Sequence, residues 1–246
     1  MPTAVDAWFV RESLLDDPGA AAHFEALLSD AEVARRDRMA FDSGRRQQLL
    51  ARGLQRLVLS KYAPEVAPRE WQFAQGAAGR PELAPPFAAT GLFFNVAHTA
   101  GMVALAVGRV PFIGIDVEPM DRRVPLHVAP RYFSESEVAA LQALPPEAQP
   151  RRFLRLWTLK EAYLKAVGAG LAGGLDSMTF TFDETGGIAF EHGDDPEAGH
   201  WVFGEFDPGG FLLALACKDA APGAAATIRW HEYRPETFYL ASSGIR

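Results

Sequence analysis

Four short segments carry side chains whose type and spacing could do chemistry. The first is Gly114-Ile115-Asp116-Val117-Glu118. On a strand, residues two apart point to the same side, so Asp116 and Glu118 would put two carboxylates on one face. Phe112, Ile113 and Ile115 are apolar, which sends this strand into a core. Two like charges at the end of a buried strand repel unless a cation sits between them. Hard carboxylate oxygens favour magnesium or calcium there. The competing reading is a strand whose acidic end runs out into solvent.

The second segment is Phe153 to Leu171, FLRLWTLKEAYLKAVGAGL. Trp157, Glu161 and Leu164 fall on one helical face, and Lys165 lies one turn beyond Glu161, where the two can pair. A surface salt bridge is the ordinary fate of such a pair. A Trp one turn before the Glu would dry the carboxylate and raise its pKa, which suits a general base. Gly168 and Gly170 would end the helix. The third segment is Phe93 to Gly101, a strand leading into a polar turn that holds His98 and Thr99 between small residues. Small neighbours let a phosphate approach backbone N–H groups; a structural histidine is the alternative. The fourth, Gly79-Arg80-Pro81, is one arginine in a Gly/Pro-rich loop from Gly76 to Pro86.

Elements must position these side chains. Val5 to Val10 reads as a strand. Ser29-Asp30-Ala31-Glu32 has capping-box spacing and should open a helix. Gln47 to Tyr62 carries leucines at helical spacing and stops at Pro64. Leu92 to Val96 and Met102 to Val107 read as strands about a turn at His98 to Gly101. The pattern then recurs. Phe112 to Val117 is another strand, and Ser134-Glu135-Ser136-Glu137 a second capping box. Arg151-Arg152 opens a helix as Arg45-Arg46 does, and Gly210 to Cys217 echoes Gly101 to Val107. These matches share an offset of roughly 105 to 110 residues, the mark of a tandem duplication. A duplicated unit packs as a pseudo-dimer, and the cleft between halves is a preferred ligand site. The boundary falls near Gly108 to Pro111, giving halves 1–110 and 111–246. Ile228 to Tyr233 alternates like an edge strand.

Composition bounds the reading. The chain has 246 residues, 48% hydrophobic and 22% charged, enough for a proper core. Its formal net charge of -7 argues against nucleic acid as a partner. From Arg35 to Lys61, however, there are eight basic residues against only Asp37 and Asp42. That patch fits a phosphate-rich small ligand, or is simply a solvated helical face. The single Cys217 rules out an intrachain disulfide and a cysteine-rich zinc site, and its apolar setting predicts an inert thiol. No secretory signal pattern and no membrane-length apolar run is seen, so a soluble cytoplasmic protein is expected. G-x-S-x-G, P-loop, H-E-x-x-H and post-strand G-x-G-x-x-G motifs are missing.

Taken in order, GRP (Gly79 to Pro81), FNVAHTAG (Phe94 to Gly101), GIDVE (Gly114 to Glu118) and FLRLWTLKEAYLKAVGAGL (Phe153 to Leu171) resemble the surfactin-type phosphopantetheinyl transferases. The resemblance spans about Val5 to Cys217. It implies an α+β fold of two pseudo-symmetric halves, each a small, mainly antiparallel sheet packed with helices. It implies transfer of the phosphopantetheine arm of coenzyme A to a serine of an apo acyl or peptidyl carrier protein, with magnesium. By the same resemblance, Asp116, Glu118 and Glu161 match the metal-binding acids, and Glu161 is also the candidate base. Lys165 and His98 match groups at the coenzyme A phosphates, and Arg80 replaces the lysine or arginine of a G-K-P motif. Arg35 and Arg46 line up with the 3′-phosphate grip, although Arg36, Arg38, Arg45 or Arg52 could serve. One departure stands out: the family often has S-H-S before the glycine, whereas here Ala97-His98-Thr99 is followed by Ala100. Ala97 lacks the hydroxyl, leaving Thr99, backbone or water for any phosphate contact there. A monomer is expected, since the duplication supplies both sides of the cleft. Two rival readings are a magnesium-dependent phosphodiesterase or pyrophosphatase, and a silent module that holds coenzyme A or a carrier protein.

Overall fold

The structure, a computed structural model, describes residues 4–76, 79–169, 174–193, 197–219 and 226–238. Strand β1 (Ala4–Arg11) alternates as a strand buried on both faces must. Trp8 and Val10 join one core, Val5, Ala7 and Phe9 another. Helix α1 (Pro18–Leu27) begins with Pro after Asp17, whose side chain accepts the Ala20 N–H. Helix α2 (Asp30–Asp37) carries the expected Ser29/Glu32 capping box. Helix α3 (Asp42–Tyr62) starts earlier than the expected Gln47, because its first turn is polar and its buried seam begins only at Leu49. Next come β2 (Phe73–Gln75), β3 (Pro81–Leu83), β4 (Phe93–Thr99) and β5 (Met102–Gly108). His98 and Thr99, expected in a turn, belong to β4; the reversal is made by Ala100 and Gly101, the latter at φ +88°.

The elements after β5 follow a similar order, a strand, three helices and four strands. Strand β6 (Ile113–Pro119) is followed by α4 (Ala129–Tyr132), α5 (Glu135–Gln142) and α6 (Gln149–Val167). Helix α5 has the second capping box, Ser134/Glu137. Helix α6 ends on Gly168 in the left-handed region, φ +73°; Gly170 lies outside the described residues. Strands β7 (Met178–Phe182), β8 (Ile188–His192), β9 (Trp201–Phe206), β10 (Phe211–Lys218) and β11 (Thr227–Glu232) and helix α7 (Pro235–Phe238) complete the chain as described.

The two larger sheets have the orders β11-β1-β5-β4 and β6-β10-β9, and β2-β3 and β7-β8 form separate two-stranded sheets. All their pairings are antiparallel except β1 with β11. The fold is α+β, with small, mainly antiparallel sheets. In chain order, β1-β5-β4 and β6-β10-β9 correspond strand for strand. The tail strand β11 is an edge strand, and it crosses back to the first sheet. Asp6 clamps it there: Arg229 donates to both carboxylate oxygens, and His231 lies 2.7 Å from Oδ1. Burial pushes the Asp6 carboxyl up, but the His231 and Arg229 hydrogen bonds outweigh it and hold it at about 2.

The inner faces of the two sheets share one core. Ala7, Met102 and Ala104 meet Ile115, Val117 and Leu213. Helix α3 covers the outer face of the first sheet and α6 that of the second, giving four layers. Cys217 is sealed in the middle core, its thiol pushed up to about 12 by burial. Among the described residues, no helix is long and apolar enough to cross a membrane.

Candidate active site

The period of two on β6 separates its residues as expected. Ile113, Ile115 and Val117 face the middle core, while Gly114, Asp116 and Glu118 face α6. Gly114 is required there: a Cβ would stand 2.0 Å from the Ala162 oxygen and 2.5 Å from the Ala166 nitrogen. Helix backbone therefore rests directly on strand backbone, bringing Glu161 and Lys165 over Asp116.

Lys165 Nζ donates to Asp116 Oδ1 at 2.6 Å. Asp116 is only 7% exposed, and its Oδ2 is buried with no hydrogen-bond partner. Glu118 accepts from Arg122, whose guanidinium lies 6.0 Å from the Trp157 ring centre. Glu161 makes no hydrogen bond or ion pair to the described residues. Desolvation raises the pKa of Glu161, and the charges of Asp116 and Glu118 raise it further; Lys165 and Arg122 oppose them. Glu118 is also raised, first by desolvation, with Arg122 opposing and Asp116 adding. The three acids thus feel one another. They are not gathered, however: among the described residues no three His, Cys, Asp or Glu side chains come close enough to hold a metal ion. Asp116 is turned to Lys165, and Glu118 to Arg122.

Beside this cluster a cleft of about 370 Å³ opens in the first half. Arg35, Gln48, Arg52, Phe73, Gly79 and His98 contribute to its wall. A second hollow of about 470 Å³ shares Arg35, Arg52 and Phe73 with it and adds Arg56 and Arg69. His98 joins cleft and cluster. Its pKa is lowered by the protein packed around it and then by the charge of Lys165.

The basic residues of the first half differ in availability. Arg35 stands at the cleft with no hydrogen bond or ion pair to the described residues. Arg52 is held by Glu32 at 3.0 Å and stacks its guanidinium 4.4 Å from the Phe73 ring centre. Arg46 was expected beside Arg35 but lies outside the cleft wall, tied to Glu12 and Asp16 at 2.9 and 2.7 Å. Arg36 pairs with Glu25 and Asp37, and Arg45 donates to the Met39 and Ala40 carbonyls. Arg80 also departs from expectation, since its guanidinium is spent on backbone carbonyls of Phe94, Ile113, Lys165 and Ala166. Thr99 falls on the β4 face opposite His98 and does not line the cleft. Ala97 is buried in the middle core, so a hydroxyl at that position would point away from the cleft.

The sequence reading passed over three residues that shape the site. Lys160, beside Glu161, is fully buried and donates to Glu137 and to the Leu175 and Met178 carbonyls. Its signal was legible: Lys160 falls on the apolar face with Leu156, Tyr163 and Leu164. Asn95 accepts the Ile115 N–H across the two sheets. Gly114 was read only as part of a motif.

Residues 112–216 match the model of a family described as the 4′-phosphopantetheinyl transferase superfamily. The 4′-phosphopantetheinyl transferase HetI of Nostoc sp. is 39% identical over 148 residues, covering 60% of this chain and 62% of that protein. The 4′-phosphopantetheinyl transferase Sfp of Bacillus subtilis is 30% identical over 139 residues, covering 56% and 61%. A solved holo-[acyl-carrier-protein] synthase of Thermotoga maritima is 24% identical, with a TM-score of 0.38 over 46% of this chain and 65% of that one. The chain thus spans about three fifths of the length of the curated relatives HetI and Sfp. Over residues 112–216, which hold both acidic segments, the chain is similar to the 4′-phosphopantetheinyl transferase superfamily.

Proposed function

We propose that this chain transfers the 4′-phosphopantetheine arm of coenzyme A to a serine of an apo acyl or peptidyl carrier protein, releasing adenosine 3′,5′-bisphosphate. The observation that carries this reading is the continuity from an arginine-lined cleft, through His98, to Lys165 and three mutually repelling carboxylates. The cleft offers fixed positive charge to a nucleotide. Arg35 stands at its wall without an ion pair among the described residues, and Arg52 is oriented by Glu32.

In the reaction, the serine oxygen forms a bond to the pantetheine-side phosphorus of the diphosphate. The bond from that phosphorus to the bridging oxygen breaks, and the electron pair leaves with the adenosine bisphosphate. Glu161 takes the serine proton. Its raised pKa and lack of a partner suit it to that task. Lys165 and His98 place positive charge or hydrogen-bond donors at the diphosphate.

The chemistry of the donor set fits magnesium. Asp116 Oδ2 is an orphaned buried oxygen, and the pKa values of Glu161 and Glu118 are raised by burial first and then by their acidic neighbours. Asp116, Glu118 and Glu161 would hold the ion once the Lys165 and Arg122 contacts give way. When bound, it would neutralise diphosphate charge. The reading also carries a monomer acting in the cytoplasm, with halves 1–110 and 111–246 related by a pseudo-twofold and supplying nucleotide grip and acidic site respectively.

Mass spectrometry of apo-carriers incubated with the protein, coenzyme A and magnesium tests this. The expected result is a gain of roughly 340 Da on the carrier serine. Release of adenosine bisphosphate without a carrier would make the protein a hydrolase instead, and neither change would overturn the reading.

A further inference from the structure

Helix α6 carries Glu161 and Lys165, and strand β6 carries Asp116 and Glu118. All four belong to the second half, yet the contact that fixes helix against strand includes a side chain from the first. Arg80 leaves the β2–β3 hairpin just after Gly79, which takes φ +79°. Arg80 Nη1 donates to the Lys165 oxygen at 2.9 Å and the Ala166 oxygen at 3.3 Å. Its Nη2 donates to the Phe94 oxygen at 3.1 Å and the Ile113 oxygen at 3.0 Å.

These four acceptors have a common character. Lys165 and Ala166 sit in the last turn of α6, where carbonyls have no partner further along the helix. Phe94 and Ile113 lie on β4 and β6, the facing edge strands of the two sheets. A buried carbonyl without a partner is costly. One planar guanidinium satisfies all four, and the partial negative charge at the helix C-terminus favours a cation there. No ion pair joins Arg80 to a described carboxylate. Asn95 extends the same seam, accepting the Ile115 N–H at 2.9 Å.

We infer that Arg80 is a positioning residue: it ties the end of α6 to the edges of β4 and β6 and so sets Lys165 and Glu161 in register with Asp116. It acts through the backbone and does not hold coenzyme A. This rests on the proposed transferase reading for its catalytic consequence, but its structural part does not. The backbone-on-backbone packing at Gly114 fixes how close α6 lies to β6. Arg80 fixes where along β6 the helix end stops.

The test compares the full-length wild type with Arg80→Ala and Arg80→Lys. Hydrogen exchange is read at residues 163–168, coenzyme A affinity by calorimetry, and turnover by carrier mass spectrometry. A positioning role predicts exchange at 163–168 faster by about tenfold in both variants, with the rest of the protein unchanged. It predicts turnover lower by about a hundredfold, with coenzyme A affinity within about threefold of wild type. Lysine should rescue poorly, since an ammonium lacks the planar fork that reaches four carbonyls. The inference is overturned if Arg80→Ala loses coenzyme A affinity, Arg80→Lys restores it, and exchange at 163–168 does not change. It is equally overturned if exchange rises evenly throughout the protein. Should Arg80→Ala fail to fold, Arg80→Lys alone decides on the same exchange measurement. If the wild type modifies no carrier, the functional reading fails while exchange still decides the structural role.

Discussion

Glu32 in the first half and Glu137 in the second hold the same place. Each is the third residue of a helix that opens on a capping serine, and each reaches a basic side chain on the long helix that follows. Glu32 grips Arg52 and Arg56 at 3.0 and 2.7 Å. It faces a hollow, and Arg52 still lines the cleft. Glu137 grips Lys160 at 2.7 Å with both side chains essentially sealed, and its other oxygen accepts the Phe180 N–H. The lysine's remaining donors go to two carbonyls. The same local device therefore holds an arginine at the cleft wall in one half and locks a helix in place in the other. The difference lies in what surrounds the acid: solvent and a cleft, or strands β7 and β8 closing over a hydrophobic core.

The largest expected effect falls on the sealed pair. Lys160→Met strands Glu137 as a buried charge and should cost about 3–5 kcal/mol of stability, read by denaturant unfolding. Adding Glu137→Gln to Lys160→Met should recover much of that loss, because two unpaired groups disappear together. In the first half, Glu32→Gln should cost only about 1–2 kcal/mol, since Arg56 keeps the Pro68 carbonyl and Arg52 keeps Gln55 and the Phe73 ring. Equal costs at Glu32 and Glu137 would erase the contrast between the halves.

The next effect concerns ligand affinity. Arg35→Ala and Arg52→Ala should each weaken coenzyme A binding by about tenfold, from the loss of a charge-assisted contact, without lowering turnover at saturation. Arg46→Ala should leave affinity unchanged, because Arg46 is committed to Glu12 and Asp16. Calorimetry and steady-state kinetics separate these outcomes.

Two smaller effects follow from titration. The Glu161 pKa is raised in the folded state, so the carboxylate's stability contribution is full below 4.5 and is lost as pH rises through its folded value. Glu161→Gln should therefore raise the melting temperature at neutral pH without metal, and the gain should vanish below pH 4.5. For His98, burial and then Lys165 lower the pKa below 6.5, leaving the ring less charged than a free histidine at the same pH. A bound diphosphate favours the charged form. Coenzyme A binding near pH 6.5 should therefore take up a proton, measured by calorimetry in buffers of different ionisation enthalpy, and His98→Ala should abolish that uptake.

Much of this was legible in the chain itself. Period-two spacing placed Asp116 and Glu118 on one face, and serine–glutamate spacing announced α2 and α5. Both boxes are formed as read, because local capping chemistry depends only on near neighbours. What escaped depends on distant ones. Nothing near Arg46 announces Glu12, which reaches it only through folding. Nothing near Arg80 announces four carbonyls from β4, β6 and α6. The strand assignment of His98 and Thr99 was lost to their polarity, which hides β pairing with Val103 and Met102. Lys160 could have been found, since an ionisable residue on the apolar face of a helix requires a buried partner.

The account stands most directly on Glu161, the acid without a partner that faces Asp116 and Glu118. The deciding measurement is the single-turnover rate of carrier modification by Glu161→Gln, at saturating coenzyme A and magnesium, followed by intact mass. Loss of the proton acceptor predicts a rate lower by about 10²–10⁴ with coenzyme A still bound. A variant that modifies the carrier at the wild-type rate would contradict the assignment of Glu161 as the base, and with it the site as described.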